Sequence, residues 1–376
     1  MSTLSARVIT NQRVDFAEPH GRLRACVVIP VRNEQAVLPC VIAALAAQRD
    51  LQGLALDAHQ YEVLLLLNNC TDATAAVAES LQHRFPRLAL HVAQVAFATH
   101  EAHVGRARQL LFDVAFQRFE RLNRPSGLIL STDADSRPAP DWIAQNVLEI
   151  AAGVDGVGGW ISLDRIERAE LHTGVRRLFS LDVTYRRALE ELRSLYAPQA
   201  HDPFPRHHQH FGASITVTAA AYGRAGGMPL RASSEDVALY QAVLASGGRF
   251  RHSFRVRVVT SARMVGRAQR GLAEAIQAWN GQVGAASPVL VEPAHAAEER
   301  LARLGLWCCR HPGANPPSAL TVTPEVLIAG RGQEIGAAIG VLRARRSALL
   351  LLPIRERLAA VRRRLQGLPH TGRVLA

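Results

Sequence analysis

The sequence predicts an α/β fold with a mostly parallel central sheet flanked by helices, followed by a helical C-terminal extension. From Arg24 to Thr260, short apolar runs alternate with segments of helical periodicity. Strands that are apolar throughout are buried on both faces, and helices between them indicate parallel neighbours. Beyond Gly266 the composition shifts to alanine, arginine and long helical patterns. We therefore expect an N-terminal segment over 1–23, an α/β domain over 24–265 and the extension over 266–376.

The first half of the predicted domain contains four strands and the helices that connect them. Apolar runs place the strands near 25–30, 62–67, 89–95 and 128–131. Helical patterns lie near 35–49 and 72–84, and a third helix ends near Arg121. Thr71 or Asp72 is the expected N-cap of the second helix. Ligands of such sheets bind at the carboxyl ends of the strands, so the polar residues there are the candidates for a functional site.

Turn signals divide the second half of the predicted domain. Pro138 and Pro140 precede a helix that opens at Trp142, and the glycines over 156–159 mark a further strand or turn. Residues 165–210 are expected to be helical at first and then polar and loose.

An acidic pair, Glu235 and Asp236, stands at the start of the next predicted helix, after a strand that runs through Val217. A carboxylate in the first turn of a helix is stabilised by the helix dipole. Helix capping is therefore a purely structural explanation for this pair, beside a role in catalysis.

Composition narrows the classes of function. The 376 residues suffice for one large α/β domain with an appendage, or for two domains. The net charge of +12 comes from arginine alone, because the chain has no lysine. Arginine suits bidentate phosphate recognition, although genomic composition explains most of this bias. Aromatic residues make up only 5% and no basic run is interleaved with them, so nucleic-acid binding is not expected.

Cysteine usage indicates a reducing compartment. The five cysteines form no metal-binding pattern, and their odd number argues against a full disulfide framework. The N-terminal residues show no signal-peptide pattern. We expect a cytoplasmic protein.

The most apolar late segment, Ile335–Ile354, is interrupted by arginines and is too short to span a membrane. A helix packed on its own domain is the first interpretation. The alternative is an amphipathic helix that touches the inner face of the membrane peripherally, through the arginines that follow at 355, 357 and 362–364.

Two carboxylates at the end of the fourth strand form the most informative motif. Asp133 and Asp135 follow the apolar run Leu128–Leu130. In an extended chain residues i and i+2 point to the same side, so the pair is able to share one hard cation, and that cation a diphosphate. Alone, an Asp-x-Asp motif usually marks a solvated turn or a helix cap. Here polar residues after the first two strands, and the later acidic pair, supply a context.

The segment His201–His210 contains four histidines and an aspartate. No finger-like or helical spacing orders them. A mobile loop on the acceptor side is favoured over a transition-metal site.

With these motifs in this order, the chain resembles the family 2 glycosyltransferases of the GT-A fold, the nucleotide-diphospho-sugar transferase fold. The likeness covers about residues 24–270. It rests on the segments Val28–Glu34, Asn69–Thr74, Gly105–Arg108, Thr132–Asp135, Ser234–Asp236 and Val258–Arg263.

The resemblance implies a metal-dependent, inverting enzyme, hexosyltransferase-like, that uses a nucleoside diphosphate sugar. Asp135 would bind Mg²⁺ or Mn²⁺, and Asp133 would contact the ribose and share the cation. The cation neutralises the charge that grows on the leaving nucleoside diphosphate. Asp236 matches the general base that deprotonates the acceptor hydroxyl, and Glu235 orients the acceptor or the base.

The resemblance also implies which residues bind the donor. These are Pro30, Arg32, Glu34, Asn68, Asn69, Ala134 and either Arg106 or Arg108. Many relatives carry an aspartate where Asn68 and Asn69 stand, and an asparagine offers a donor as well as an acceptor. A UDP-sugar is the favoured donor. Some metal-dependent relatives supply a histidine ligand in the segment 258–263, which has none here.

Two other functions remain open. A nucleotidyltransferase would carry a glycine-rich phosphate loop after the first strand, where this chain reads Pro30–Glu34 without glycine. A non-catalytic protein that binds a nucleotide sugar or a partner would not need all four carboxylates of the two acidic motifs. The sequence does not identify the acceptor.

Overall fold

A computed structural model describes residues 14, 16–266, 271–316, 332–352, 356 and 359. The chain divides into two units. The first comprises the described parts of 1–173 and 209–280, and the second comprises those of 174–208 and 281–376. The domain boundaries predicted from the sequence stay a prediction.

Eight strands form one mixed sheet in the first unit, in the order β3-β2-β1-β4-β7-β6-β8-β5. The strands are β1 (Ala25–Val31), β2 (Tyr61–Asn68), β3 (Leu90–Val95), β4 (Leu128–Ser131), β5 (Ser136–Pro138), β6 (Gly156–Leu163), β7 (Ile215–Thr218) and β8 (Phe250–Thr260). Four neighbouring pairs are parallel and three are antiparallel. The predicted α/β class with a mostly parallel sheet is confirmed.

Helices connect these strands and continue into the second unit. They are α1 (Leu38–Ala46), α2 (Thr74–Arg84), α3 (Val104–Arg121), α4 (Trp142–Ala151), α5 (Arg165–Glu170), α6 (Thr173–Tyr196), α7 (Ala219–Arg224), α8 (Glu235–Ala245), α9 (Leu272–Gly284), α10 (Ala294–Arg310) and α11 (Ile335–Leu350). A short 3₁₀ turn, Gly212–Ser214, precedes β7.

The central strands are apolar on both faces, as the sequence predicts. Alternate residues of β1 enter two separate cores: Val27 and Ile29 lie in one, Cys26 and Val28 in the other. The first core is closed by α1 and α4, and the second by α3 and α8. Burial on both sides explains the continuous apolar runs.

The order of the strands brings the predicted motifs together. β1 lies between β2 and β4, with Val31 opposite Leu67 and Val28 opposite Ser131. All three strands are parallel, so their carboxyl ends meet at one edge of the sheet. The residues that follow Val31, Leu67 and Ser131 therefore lie side by side.

One local detail differs from the sequence prediction. Helix α2 begins at Thr74 with Ala73 as its N-cap, and Asp72 accepts hydrogen bonds from the backbone N–H and the hydroxyl of Thr74 at 3.0 and 2.5 Å. Asp72 therefore holds the first turn from outside the cap position.

The second unit has its own apolar core, built from α6, α10 and α11. Helix α11 buries Ile335, Ile339 and Leu342 in it, which supports the interpretation of a helix packed on its own unit. The arginines of the amphipathic alternative at 355, 357 and 362–364 lie outside the described residues, and membrane contact stays a prediction. No described helix is both long and apolar enough to cross a membrane.

A buried ion pair joins α3 to β2. Arg118 donates to both carboxylate oxygens of Glu62 at 2.6 and 2.5 Å, and neither side chain is more than 3% exposed. Burial raises the pKa of Glu62, but hydrogen bonds from His91 and Arg118 outweigh this and leave the pKa below its ordinary value. Removing only one partner of such a buried pair destabilises the fold strongly.

We expect Arg118→Gln to lower the free energy of unfolding by about 3–5 kcal/mol, because Glu62 would remain buried without its guanidinium and with only His91 beside it. Urea denaturation measures the change. Arg121→Gln is the matched control on the same helix: its partner is Glu18, the two side chains are 58% and 78% exposed, and the loss should stay below about 1 kcal/mol. Equal losses in the two variants would contradict the assignment.

Candidate active site

Asp133 and Asp135 lie in a turn between β4 and β5 rather than on an extended strand. The ladder of β4 ends at Ser131, and the N–H of Ser136 donates to the carbonyl of Asp133 at 3.0 Å. The Asp133 side chain is 36% exposed and that of Asp135 is 16% exposed. Burial and the charge of Asp133 raise the pKa of Asp135 to about 6, against the lowering effect of Arg263. The two carboxylates are therefore close enough to interact, although the predicted strand geometry is wrong.

Arg263, three residues beyond β8, pairs with two carboxylates at once. Its guanidinium donates to both oxygens of Glu34 at 2.7 and 2.6 Å, and lies 2.9 Å from an oxygen of Asp135. Glu34 itself is buried. The end of β8 thus contributes a cation to the turn that carries the Asp pair.

Arg108, on α3, connects the Asp pair to the acidic pair of α8. Its buried guanidinium donates to Asp133 at 2.8 Å, to Glu235 at 2.9 Å, to the hydroxyl of Ser131 at 2.5 Å and to the carbonyl of Gly212 at 3.0 Å. One buried charge therefore joins four segments that are distant in sequence.

Arg106 points elsewhere. Its guanidinium donates to Gln109 at 3.0 Å, lies 3.8 Å from Glu101 and sits over the ring of Phe97 at 5.9 Å. Of the two arginines that the sequence left open, Arg108 is the one that reaches the carboxylates.

Asp236 lies in the first turn of α8, as predicted. One carboxylate oxygen accepts from the N–H of Val237 at 2.7 Å, and the other accepts from the N–H of Gly212 at 2.6 Å. Burial and the charge of Glu235 raise the pKa of Asp236 to about 6, while Arg108 acts in the opposite direction. Local capping explains the first bond but not the second, which reaches 24 residues back along the chain.

Gly212 is a residue that sequence reasoning missed. A Cβ at this position would lie 2.5–2.7 Å from the guanidinium atoms of Arg108, so any side chain would displace the arginine. The sequence prediction also lacks Arg263. Arg263 stands at the end of the segment Val258–Arg263 that the sequence singles out, but nothing local marks either residue as part of a site.

The two asparagines after β2 have different environments. The Asn69 amide is bonded to Phe97 in both directions, each bond 3.0 Å long, and its φ of +48° places it in the left-handed region. Asn68 is buried, and its side-chain oxygen has no hydrogen-bond partner among the described residues. Asn69 therefore shapes the loop, whereas Asn68 keeps an unused acceptor at the strand end.

The other predicted donor-binding residues are spread around the ends of β1 and β4. Pro30 is half-buried in β1, and Arg32 is exposed and donates to the carbonyl of Ala102 at 2.7 Å. Ala134 is buried in the apolar core.

The donor set of this edge suits a hard cation. The carboxylates are Glu34, Asp133, Asp135, Glu235 and Asp236, and the cations that contact them in the described part of the chain include Arg108 and Arg263. Carboxylate oxygens are what Mg²⁺ and Mn²⁺ prefer, and this set has more negative than positive groups. The described residues contain no cluster of three or more His, Cys, Asp or Glu side chains arranged to hold a metal ion.

The histidine-rich segment does not form a metal site among the described residues. In the first unit, Gln209 bonds to the backbone of Ile161 at 2.6 and 3.2 Å, and His210 stacks on Tyr240 with a centroid distance of 3.9 Å. These contacts fix the segment that leads into Gly212.

Comparison of the sequence with known protein families gives one match. The model of the family described as glycosyl transferase family 2 matches residues 26–206. No curated protein matches the chain.

Solved structures with a similar arrangement include three that contain a nucleotide sugar. A mannosyltransferase from Pyrobaculum calidifontis, in complex with GDP-Man and Mn²⁺, is 20% identical, with 93% of this chain and 88% of that chain covered and a TM-score of 0.45. S. aureus TarS 1–349, in complex with UDP-GlcNAc, is 15% identical, with coverages of 79% and 69% and a TM-score of 0.46. Glucosyl-3-phosphoglycerate synthase from Mycobacterium tuberculosis, with Mn²⁺ and UDP-glucose, is 17% identical, with coverages of 70% and 77% and a TM-score of 0.38.

The match over residues 26–206 takes in β1, β2, the Arg108 segment and the Asp133–Asp135 turn, and so covers four of the six segments on which the sequence resemblance rests. Over these residues the chain matches glycosyl transferase family 2, which confirms the sequence resemblance and indicates a glycosyltransferase.

Proposed function

We propose that this glycosyltransferase moves a sugar from a nucleoside diphosphate sugar to a hydroxyl of an acceptor, with inversion at the anomeric carbon. One observation carries the proposal: the buried guanidinium of Arg108 bonds Asp133 at 2.8 Å and Glu235 at 2.9 Å. A donor-side aspartate is thereby held beside the acidic pair that contains the base. The location in the cytoplasm stays a prediction.

Asp236 is the proposed general base. It takes the proton of the acceptor hydroxyl while the hydroxyl oxygen bonds to the anomeric carbon, and the bond from that carbon to the diphosphate oxygen breaks on the opposite face. A base with a pKa of about 6 is ionised at neutral pH and still accepts a proton in the transition state. The bonds from Val237 and Gly212 orient the carboxylate, and Glu235 helps to raise its pKa.

Asn68 supports a uridine donor. Its buried side-chain oxygen lacks a partner, and a buried acceptor without a hydrogen bond is costly unless a ligand satisfies it. The N3–H of uracil is a suitable hydrogen-bond donor to this oxygen. Pro30, Arg32 and Glu34 stand on the neighbouring strand end, where the nucleoside would lie, and Asp133 would bond the ribose.

Asp133 and Asp135 would hold the divalent cation, Mg²⁺ or Mn²⁺. When bound, the cation would neutralise charge on the departing nucleoside diphosphate. The surplus of carboxylates over guanidiniums at this edge supports the assignment. The hydrogen bond from Arg108 keeps Asp133 in place, both for the cation and for the ribose of the donor.

Nucleotide binding is measurable by thermal shift with UDP, GDP, CDP and dTDP, each with and without Mn²⁺. We expect UDP to give the largest shift and Mn²⁺ to increase it, since a ligand at about 100 times its dissociation constant adds roughly 2.7 kcal/mol to the free energy of unfolding. Asp135→Asn should lose the Mn²⁺-dependent part. Glu120→Gln, which removes an exposed carboxylate of α3, should keep it; absence of a shift with every nucleotide would contradict the proposal.

Measurements of turnover test the assignment of Asp236 as the general base. Asp236→Asn should lower kcat by about 10²–10⁴-fold and leave the affinity for nucleotide and Mn²⁺ unchanged, because Asp236 does not touch the Asp pair. Glu274→Gln is the control, because Glu274 also lies in the first turn of a helix. A variant at 236 that fails to fold would instead support helix capping as the role of this carboxylate, and release of pyrophosphate by the wild type would indicate a nucleotidyltransferase.

The pH profile links Arg108 to the base. Because Asp236 must be ionised to accept a proton, kcat/KM should rise as the pH increases through about 6 and level off above it. The positive charge of Arg108 lowers the pKa of Asp236, so Arg108→Gln should move the rising limb to higher pH. Arg108→Lys keeps the positive charge, so kcat/KM should rise over nearly the same pH range as in the wild type. If kcat/KM of Arg108→Gln also rises over the wild-type pH range, Arg108 does not set the pKa of the base.

A further inference from the structure

We infer that Arg263 is a counter-ion of the cation site that the chain itself supplies. The Arg263 guanidinium pairs with Asp135 when no donor is bound. It moves to the donor diphosphate when nucleotide and divalent cation bind together. The cation alone then binds weakly, and the donor makes its binding tight. This inference rests on the proposed function, because it presupposes that Asp135 is a cation ligand.

The first support is the geometry of the guanidinium. It lies 2.9 Å from one oxygen of Asp135 and donates two hydrogen bonds of 2.6 and 2.7 Å to Glu34. The carboxylate proposed to bind the cation is therefore already paired with a positive group.

The second support is that the other oxygen of Asp135 is also in contact with donors. The hydroxyls of Ser136 and Thr260 lie 3.3 and 3.5 Å from it. A divalent cation that binds Asp135 must either compete with the Arg263 guanidinium or stay within a few ångströms of it. Like charges at such distances repel, most strongly where water is excluded. Cation binding by itself is thus opposed by a residue of the chain.

The third support is the charge of the donor. A diphosphate offers oxygens that a guanidinium binds in bidentate fashion, so Arg263 has an alternative partner as soon as the donor arrives. Among the described residues, five carboxylates of this edge have two guanidiniums, those of Arg108 and Arg263, as charged partners, and the diphosphate adds further negative charge. Arg263 alone does not neutralise that sum, which favours a cation in addition to the arginine.

The position of Arg263 permits the transfer. The backbone before it is held by Glu167, which accepts from the hydroxyl of Ser261 and the N–H of Ala262 at 2.6 Å each. The Arg263 side chain is 28% exposed, and the next residue, Met264, is 45% exposed. The guanidinium is therefore able to reorient without disturbing the apolar core, while the backbone that carries it stays in place.

The experiment measures Mn²⁺ affinity of the full chain from the electron paramagnetic resonance signal of free Mn²⁺, with and without UDP. In the wild type we expect weak binding of Mn²⁺ alone and a gain on adding UDP of about 5–150-fold, the usual range of coupling between sites. Arg263→Gln should bind Mn²⁺ alone more tightly than the wild type, lose most of the gain with UDP, and bind UDP more weakly.

Two further variants make the result specific. Arg263→Lys keeps a positive charge and should keep the binding of Mn²⁺ alone weak, which also guards against a fold defect caused by leaving Glu34 unpaired. Arg224→Gln removes one positive charge from a half-exposed surface pair with Asp155 and should behave as the wild type.

The outcomes separate the two proposals. Absence of Mn²⁺ binding in every variant, with and without nucleotide, would refute the cation site itself. Tight coupling in the wild type with the same affinities in Arg263→Gln would refute the role of Arg263 and leave the cation site standing. UDP binding that is independent of Mn²⁺ but lost in Arg263→Gln would show that the arginine replaces the cation, and would overturn the transfer.

Discussion

The buried positive charge of Arg108 constrains the whole active-site edge. A guanidinium that is 4% exposed must find acceptors for its N–H groups, because an unpaired buried charge costs several kcal/mol. Its acceptors come from the ends of β4 and α8 and from the 3₁₀ turn before β7. Satisfying one side chain therefore sets the positions of three chain segments, and Gly212 is required because any Cβ there would push the guanidinium away.

The carboxylates around that charge are incompletely neutralised. The pKa values of Asp135 and Asp236 are both raised to about 6, mainly by burial and then by the neighbouring Asp133 and Glu235. Such an arrangement does not help the fold by itself, and perturbed titrating groups of this kind concentrate at functional sites. In the proposed function, the elevated pKa makes Asp236 a usable base. Asp135 would bind the cation there, and Arg263 is its partner in this structure.

The parallel half of the sheet was predictable because its strands are apolar on both faces. The strands expected near 25–30 and 62–67 are Ala25–Val31 and Tyr61–Asn68. The antiparallel additions were not predictable: β5 has three residues, too few for a pattern, and its partner in β8 lies more than 100 residues away. The same shortage of local signal hid the turn at Asp133, since an Asp-x-Asp motif reads alike in a strand and in a turn.

The sequence by itself determined the α/β class, the polar motifs at the ends of the apolar strands and the likeness to family 2 glycosyltransferases, because each of these is written in a short window of residue types. Only the tertiary structure decided that the guanidinium of Arg108, and not that of Arg106, contacts Asp133 and Glu235. It also decided that the Asn69 amide is bonded within its loop, whereas the side-chain oxygen of Asn68 has no partner among the described residues. The pairing of Arg263 with Asp135 is a third such result. Arg108 and Glu235 are 127 residues apart, and Arg263 and Glu34 are 229 apart. The order of the strands sets such pairings, and no local periodicity encodes that order.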